Sequence, residues 1–187
     1  MKRAGSAATR TRPPTTPSLT DTLCTHCGLC CDGSLFADVE LTGRAEATSL
    51  EAVGMEIDDD EVGGALLPQP CRALRGTRCG IYAHRPGCCQ TFECRLLRDV
   101  RRGTVGVEQA GARIAEALER SRRVRRQGAR RGQHDGRLPL KERCAEALGR
   151  DADAKPRADR RRAALEAAMS AVEESLQKSF LDGGGPS

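Results

Sequence analysis

Large aromatic side chains are nearly missing from this chain of 187 residues, which has no Trp, one Tyr and three Phe. The side chains that dominate burial in most cores are therefore almost absent. Leu, Ile, Val and Phe together supply 32 residues, 17% of the chain. That is under the roughly 20% below which an ordinary core is hard to build. A net charge of +5 is too small to demand disorder. No run approaches the 18 or so apolar residues of a membrane span, so no membrane partner is expected. Residues 1–20, MKRAGSAATRTRPPTTPSLT, carry no apolar stretch of about 7–15 residues like that of a secretory signal. A disulfide scaffold needs an oxidising compartment, hence export, so the expected location is cytoplasmic with reduced thiols.

What the chain has instead is cysteine, ten of them. Four occupy residues 24–31, Cys-Thr-His-Cys-Gly-Leu-Cys-Cys, and Cys71, Cys79, Cys88, Cys89 and Cys94 form a second group. Cys144 stands alone in a charged helical region. C-x2-C is the spacing of half a structural zinc site, and C-x2-C-x2-C supplies three ligands in bacterial iron–sulfur sequences. Metal coordination can replace the missing apolar burial, since structural zinc contributes about 10–16 kcal/mol of binding energy that acts as folding energy.

Along the chain, residues 1–20 read as a disordered tail rich in Pro, Thr, Ala and Arg. Residues 21–110 hold nine of the ten cysteines and 20 of the 32 Leu, Ile, Val and Phe, and form the metal-binding unit. Residues 111–187 read as a helical, Arg-rich extension with a frayed end. The expected fold is a small metal-stabilised, mainly α domain with short strands and loops, followed by a C-terminal helical hairpin. Residues 34–42 partly alternate and predict a strand. Thr42 stands where an N-cap belongs for a helix over 44–53, ended by Gly54. Asp58–Glu61 with Gly63 and Gly64 predicts a solvated loop, lacking the ligand spacing of a calcium site. A helix is expected over 92–100 and another over 112–126. The Arg/Gly-rich run 122–137 reads as a solvated helix end and loop. A last helix is expected over 158–180, where Leu165, Met169, Val172, Leu176 and Phe180 form a stripe. That stripe pairs with the preceding helix or offers a surface for an oligomer.

The second cysteine group reads Pro70-Cys71, Cys79-Gly-Ile81-Tyr82, Arg85-Pro86-Gly-Cys88-Cys89-Gln-Thr-Phe92-Glu-Cys94. With Cys24, Cys27, Cys30 and Cys31 ahead of it, the pattern resembles the CxxCxxCC cysteine-cluster family, also called YkgJ-like, of zinc- or iron-chelating domains. The resemblance covers residues 24 to about 100 and matches eight cysteines: Cys24, Cys27, Cys30, Cys31, Cys71, Cys79, Cys89 and Cys94. It implies that these eight are the metal ligands. Gln90 replaces an Arg usual in the family, and Cys88 is an additional thiol beside the matched Cys89.

Each tetrahedral site or cubane cluster takes four thiolates, so eight fit two centres, or one polynuclear centre with bridging thiolates. Neighbouring Cys30 and Cys31 point apart on a strand and diverge by about 100° on a helix. They are natural contributors to two interleaved sites, each drawing on both cysteine groups. Arg72, Arg75, Arg78, Arg85 and Arg95 offer positive charge to a thiolate cluster that carries a net charge near −2. His26 and His84 read as surface residues, and Tyr82 is expected to lay its ring on the cluster. Cys144 reads as an ordinary helix residue.

Three function classes follow. The first is a metal-chelating domain whose ions are structural and whose function lies in a surface for an unknown protein partner. The second is an iron–sulfur redox protein with a 4Fe–4S cluster, or part of an enzyme, because the family resembles the flagellin lysine N-methylases. No Gly-rich cofactor loop, radical-type C-x3-C-x2-C spacing or catalytic triad accompanies the cysteines, so the chain carries no catalytic signature of its own. The third is a zinc protein binding nucleic acid through residues 120–131. A nucleic-acid partner is the least expected, because the chain lacks aromatic platforms for bases.

Overall fold

A computed structural model describes residues 18–150 and 156–181. Most of the expected N-terminal tail and the frayed end lie outside the described residues. The fold is mainly α, with a few short antiparallel strands and a C-terminal helix pair. No described helix is long and apolar enough to cross a membrane.

Helix α1, Leu19–Cys27, opens on a capping box: the Asp21 N–H donates to Ser18 Oγ, and the Asp21 carboxylate accepts from the Ser18 backbone. Both bonds satisfy N–H groups that a helix start leaves without partners. It stops at Gly28, whose φ of +69° is the left-handed conformation that ends helices. A Cβ there would stand 3.2 Å from Thr77 Cα, so only glycine lets the two segments meet this closely.

Strands β1 (Asp38–Glu40), β2 (Asp58–Asp59) and β3 (Ala65–Pro68) form an antiparallel sheet in the order β1-β3-β2. Val39 faces Leu67, and Asp59 faces Ala65. Between β1 and β2 runs α2, Arg44–Glu51. Its N-cap is Gly43 rather than the expected Thr42. The acidic run expected to be only a loop contributes the two residues of β2 before turning. Strands β4 (Leu74–Arg75) and β5 (Arg78–Cys79) make a two-residue hairpin.

Helix α4 (Arg95–Arg101) fills most of the segment 92–100 expected to be helical, and a short helix, α3 (Gly87–Thr91), precedes it. Three longer elements follow: α5, Val107–Ala129; α6, Leu140–Gly149; and α7, Pro156–Ser179. Helix α5 continues through the run expected to fray. Val124 is 1% exposed there, and Arg125 reaches back to Asp32, so tertiary burial holds residues 122–129 helical. The main core is continuous, joining Leu23 and Leu29 near α1 with α4 and with the inner faces of α5, α6 and α7. The stripe Leu165, Val172, Leu176 and Phe180 is spent inside this core. Its ends are tied: Arg95 N–H donates to Phe180 O (2.9 Å), and Leu140 N–H to Gly33 O (2.8 Å).

Candidate metal centre

Cys24 and Cys27 lie on the last two turns of α1, and Cys30 and Cys31 in the turn that follows it. Cys71 follows β3, Cys79 ends β5, Cys88 and Cys89 belong to α3, and Cys94 is the N-cap of α4. Backbone bonds bring these segments together. The Cys71 N–H donates to Cys31 O at 2.8 Å, and Thr77 Oγ1 donates to Thr25 O at 2.7 Å. The β4–β5 hairpin is thereby held against the end of α1. The Glu46 carboxylate bridges the N–H groups of Gly87 and Thr42, each at 2.7 Å, which anchors α3 to α2.

All ten cysteines are free thiols. The nine in the two groups are half-buried, whereas Cys144 is buried in the core of α6, where burial raises its pKa. The sulfurs of Cys30 and Cys31 stand 3.8 Å apart. Cys30 is held below the ordinary thiol value, chiefly by the hydrogen bond it accepts from Cys31. Cys31 is pushed far up by donating that bond, and burial adds to the effect.

Burial raises most of the others, and neighbouring sulfurs add to it. Cys24 is pushed up to about 11 by burial and by Cys94 and Cys30. Cys27 rises further, by burial and then by Cys30, Cys94 and Cys24. Cys89 is raised to about 12 by burial and then by Cys88, Cys30 and Cys71. Cys71 is raised by burial and by Cys79 and Cys30. The additional thiol Cys88, also raised by burial, feels the Glu46 carboxylate. The mutual influences link Cys24, Cys27 and Cys94 to one another, and Cys31, Cys71, Cys79 and Cys89 to one another. Cys30 acts on members of both.

Backbone N–H groups also point at sulfur. Leu29 donates to Cys27, Ala73 and Leu74 to Cys71, and Leu97 and Leu96 to Cys94, each opposing the upward shift. In every case a donor lies two residues beyond the cysteine. Such hydrogen bonds stabilise the thiolate, the form that ligates metal. A soft, all-sulfur donor set fits zinc or iron. Among the described residues, no three Cys, His, Asp or Glu side chains are gathered tightly enough to hold an ion, so loading has to draw the thiols inward.

The arginines are arranged differently from expectation. Arg72 pairs with Glu56, Arg75 donates to Arg72 O and Leu74 O, and Arg95 pairs with Asp99. Of the five named from sequence, Arg85 lowers the pKa of Cys24 and Cys30. Arg101 acts on Cys24 and Arg98 on Cys94. Their i, i+3 spacing on α4, just beyond Cys94, was the sequence signal for these two. Tyr82, expected to lay its ring on the cluster, is 46% exposed, and the Arg85 guanidinium stands over its ring, 3.7 Å from the ring centroid. The aromatic pair nearby is Phe36 with Phe92, edge to face at 5.2 Å. His26 is exposed on α1, its Nδ1 near Thr22 O and Thr25 Oγ1, and His84 is exposed in a short 3-10 turn.

The family model described as a "putative zinc- or iron-chelating domain", CxxCxxCC, matches residues 23–121, more than half of the chain. The chain belongs to the CxxCxxCC family. The match takes in all nine clustered thiols and continues to residue 121 of α5, a helix that packs on α1. No curated protein and no solved structure matches the chain. Its membership thus rests on the cysteine pattern and the segments that carry it.

Proposed function

We propose that this CxxCxxCC protein chelates zinc or iron at two four-thiolate centres. One is formed by Cys24, Cys27, Cys30 and Cys94 and the other by Cys31, Cys71, Cys79 and Cys89. The centres meet at Cys30 and Cys31. What supports this reading is that Cys24, Cys27 and Cys94 influence one another, that Cys31, Cys71, Cys79 and Cys89 form a second linked group with the Cys71 N–H held on Cys31 O at 2.8 Å, and that Cys30 stands between the two. Each set draws on both cysteine groups of the sequence, so ion binding fastens the end of α1 to the segment 71–94. The ions act as folding elements, and function beyond them resides in a protein-binding surface.

A bridged, binuclear centre is the second reading, and the 3.8 Å between the Cys30 and Cys31 sulfurs favours it. That separation is the edge of a tetrahedron with metal–sulfur bonds of about 2.3 Å. Adjacent thiolates can therefore share an ion, with Cys30 bridging to the next. An iron–sulfur cluster with redox chemistry is the alternative for the metal itself.

Anaerobic purification followed by a visible spectrum and assays of Zn, Fe and acid-labile sulfide distinguishes these outcomes. A colourless protein with about two ions supports two thiolate-held zinc ions, separate or bridged, over an iron–sulfur cluster. A brown protein with sulfide overturns the mononuclear sites in favour of a cluster. Substitution separates the neighbouring thiols. Cys89→Ser should lower the metal-to-protein ratio, whereas Cys88→Ser should leave it unchanged. Loss of metal in Cys88→Ser alone would reassign the ligand.

A further inference from the structure

The metal reading leaves a groove between α5 and α7 without a role. Two hollows of about 380 and 410 Å³ lie along it. The floor is made of alanines on α7, among them Ala164, Ala167 and Ala171. The walls are Arg120, Arg123, Gln127, Arg130 and Arg131 of α5 and its end, with Arg161 opposite, and no carboxylate lines either hollow. Arg120 is engaged, donating to Ala171 O at 2.9 Å and pairing with Glu116. Among the described residues, the guanidinium groups of Arg123, Arg130 and Arg161 make neither a hydrogen bond nor an ion pair. Nearby carboxylates are committed elsewhere: Glu119 holds Arg126 at 2.7 Å and Glu166 holds Arg162 at 3.0 Å. One more polar atom, Gln127 Oε1, is buried without a hydrogen-bond donor.

We propose that this groove docks an acidic amphipathic helix of a partner protein. The alanine spacing on α7 follows one helix face, and residues this small let a third helix approach closely. Arg120 to Arg130 spans roughly 15 Å, three turns of such a helix. Carboxylates three and four residues apart on the incoming helix then face the arginine wall, while its small apolar face covers the alanine floor. A phosphodiester backbone would meet the arginines but leave the alanine floor uncovered, and the groove has no aromatic platform for bases. The proposal stands independently of which metal the thiols hold.

The test uses the intact, metal-loaded protein and a labelled Ala-based helical peptide of about fifteen residues, four helical turns. Glu is placed at three- and four-residue spacing, and binding is read by fluorescence anisotropy. The Glu peptide should bind and weaken severalfold between about 50 and about 200 mM salt, as exposed charge pairs are screened. The Arg123→Glu, Arg161→Glu double variant should lose at least about tenfold in affinity through like-charge contacts. Both positions are exposed, so metal content and thermal melting should stay the same. Three results would overturn the proposal: no binding of the Glu peptide, equal binding of its Gln counterpart, or tighter binding of a duplex DNA of equal charge. Self-association abolished by the same double variant would assign the groove to a second copy instead.

Discussion

Burial sets the protonation of the thiols, and with it how they respond to pH. Cys24, raised to about 11, and Cys89, raised to about 12, stay protonated in the folded, metal-free chain at neutral pH. Unfolded cysteine titrates near 8.5. The folded state therefore holds these protons more tightly than the unfolded state between about 8.5 and about 12. By linkage, the stability they contribute is complete below about 8.5 and is lost as pH rises through the folded values. The metal-free protein should show a urea midpoint that falls steadily above about pH 8.5. Once ligated, the thiols are already ionised and no longer titrate, so the loaded protein should hold its midpoint across the same range. Equal pH dependence in the two forms would show that these sulfurs are not ligands.

Single elements are positioned by side chains whose partners lie far off in sequence. Arg125 on α5 donates to Asp32 O, Asp32 Oδ2 and Ser34 Oγ at 2.9–3.1 Å, gripping the loop that follows Cys31. Both side chains of this ion pair are about a fifth exposed, 24% and 17%. Arg125→Ala strips this cation from a mostly buried carboxylate and should cost about 3 kcal/mol in urea unfolding. Arg122 pairs with Glu119 on the solvent side, both more than half exposed, and Arg122→Ala should cost about 0.5 kcal/mol or less. Equal costs would mean that the Asp32 contact does not fasten α5 to the cysteine segment. The same contrast explains what the sequence made legible. The thiols stood out because their spacing is local and chemically specific. Helix α7 stood out because its stripe, Leu165 to Phe180, recurs over about four turns. The 93-residue separation of Asp32 and Arg125 leaves no periodic trace, so residues 122–129 read as a frayed end. Helix α6 escaped notice because its buried face, Leu140, Cys144 and Ala147, is too short to make a pattern. Arg85 was legible from its place beside the cysteines, whereas the other two arginines that act on the thiols, Arg98 and Arg101, were masked by an excess of others nearby.

Across the whole molecule, the cysteine segment and the C-terminal helices share one core. Leu23 and Leu29 pack in the same cluster as Ile114, Leu140 and Leu165. The Arg95 N–H, next to Cys94, is satisfied by Phe180 O at the end of α7. Much of the buried face of α5–α7 is alanine, including Ala110, Ala117, Ala147 and Ala168, and each of these contributes little apolar area. The helices therefore depend on the cysteine segment for part of their burial. That segment depends on its ions, each worth up to about 10–16 kcal/mol of folding energy for zinc. A strong chelator should accordingly lower the urea midpoints of the helical far-UV and the near-UV circular dichroism together, in one cooperative transition in which α5–α7 unfold with the thiol segment. Restoring zinc or iron should raise both midpoints in parallel. If chelation leaves the helical midpoint unchanged while the thiols become freely reactive, α5–α7 stand as a bundle of their own. The ions would then organise only the segment from α1 to α4.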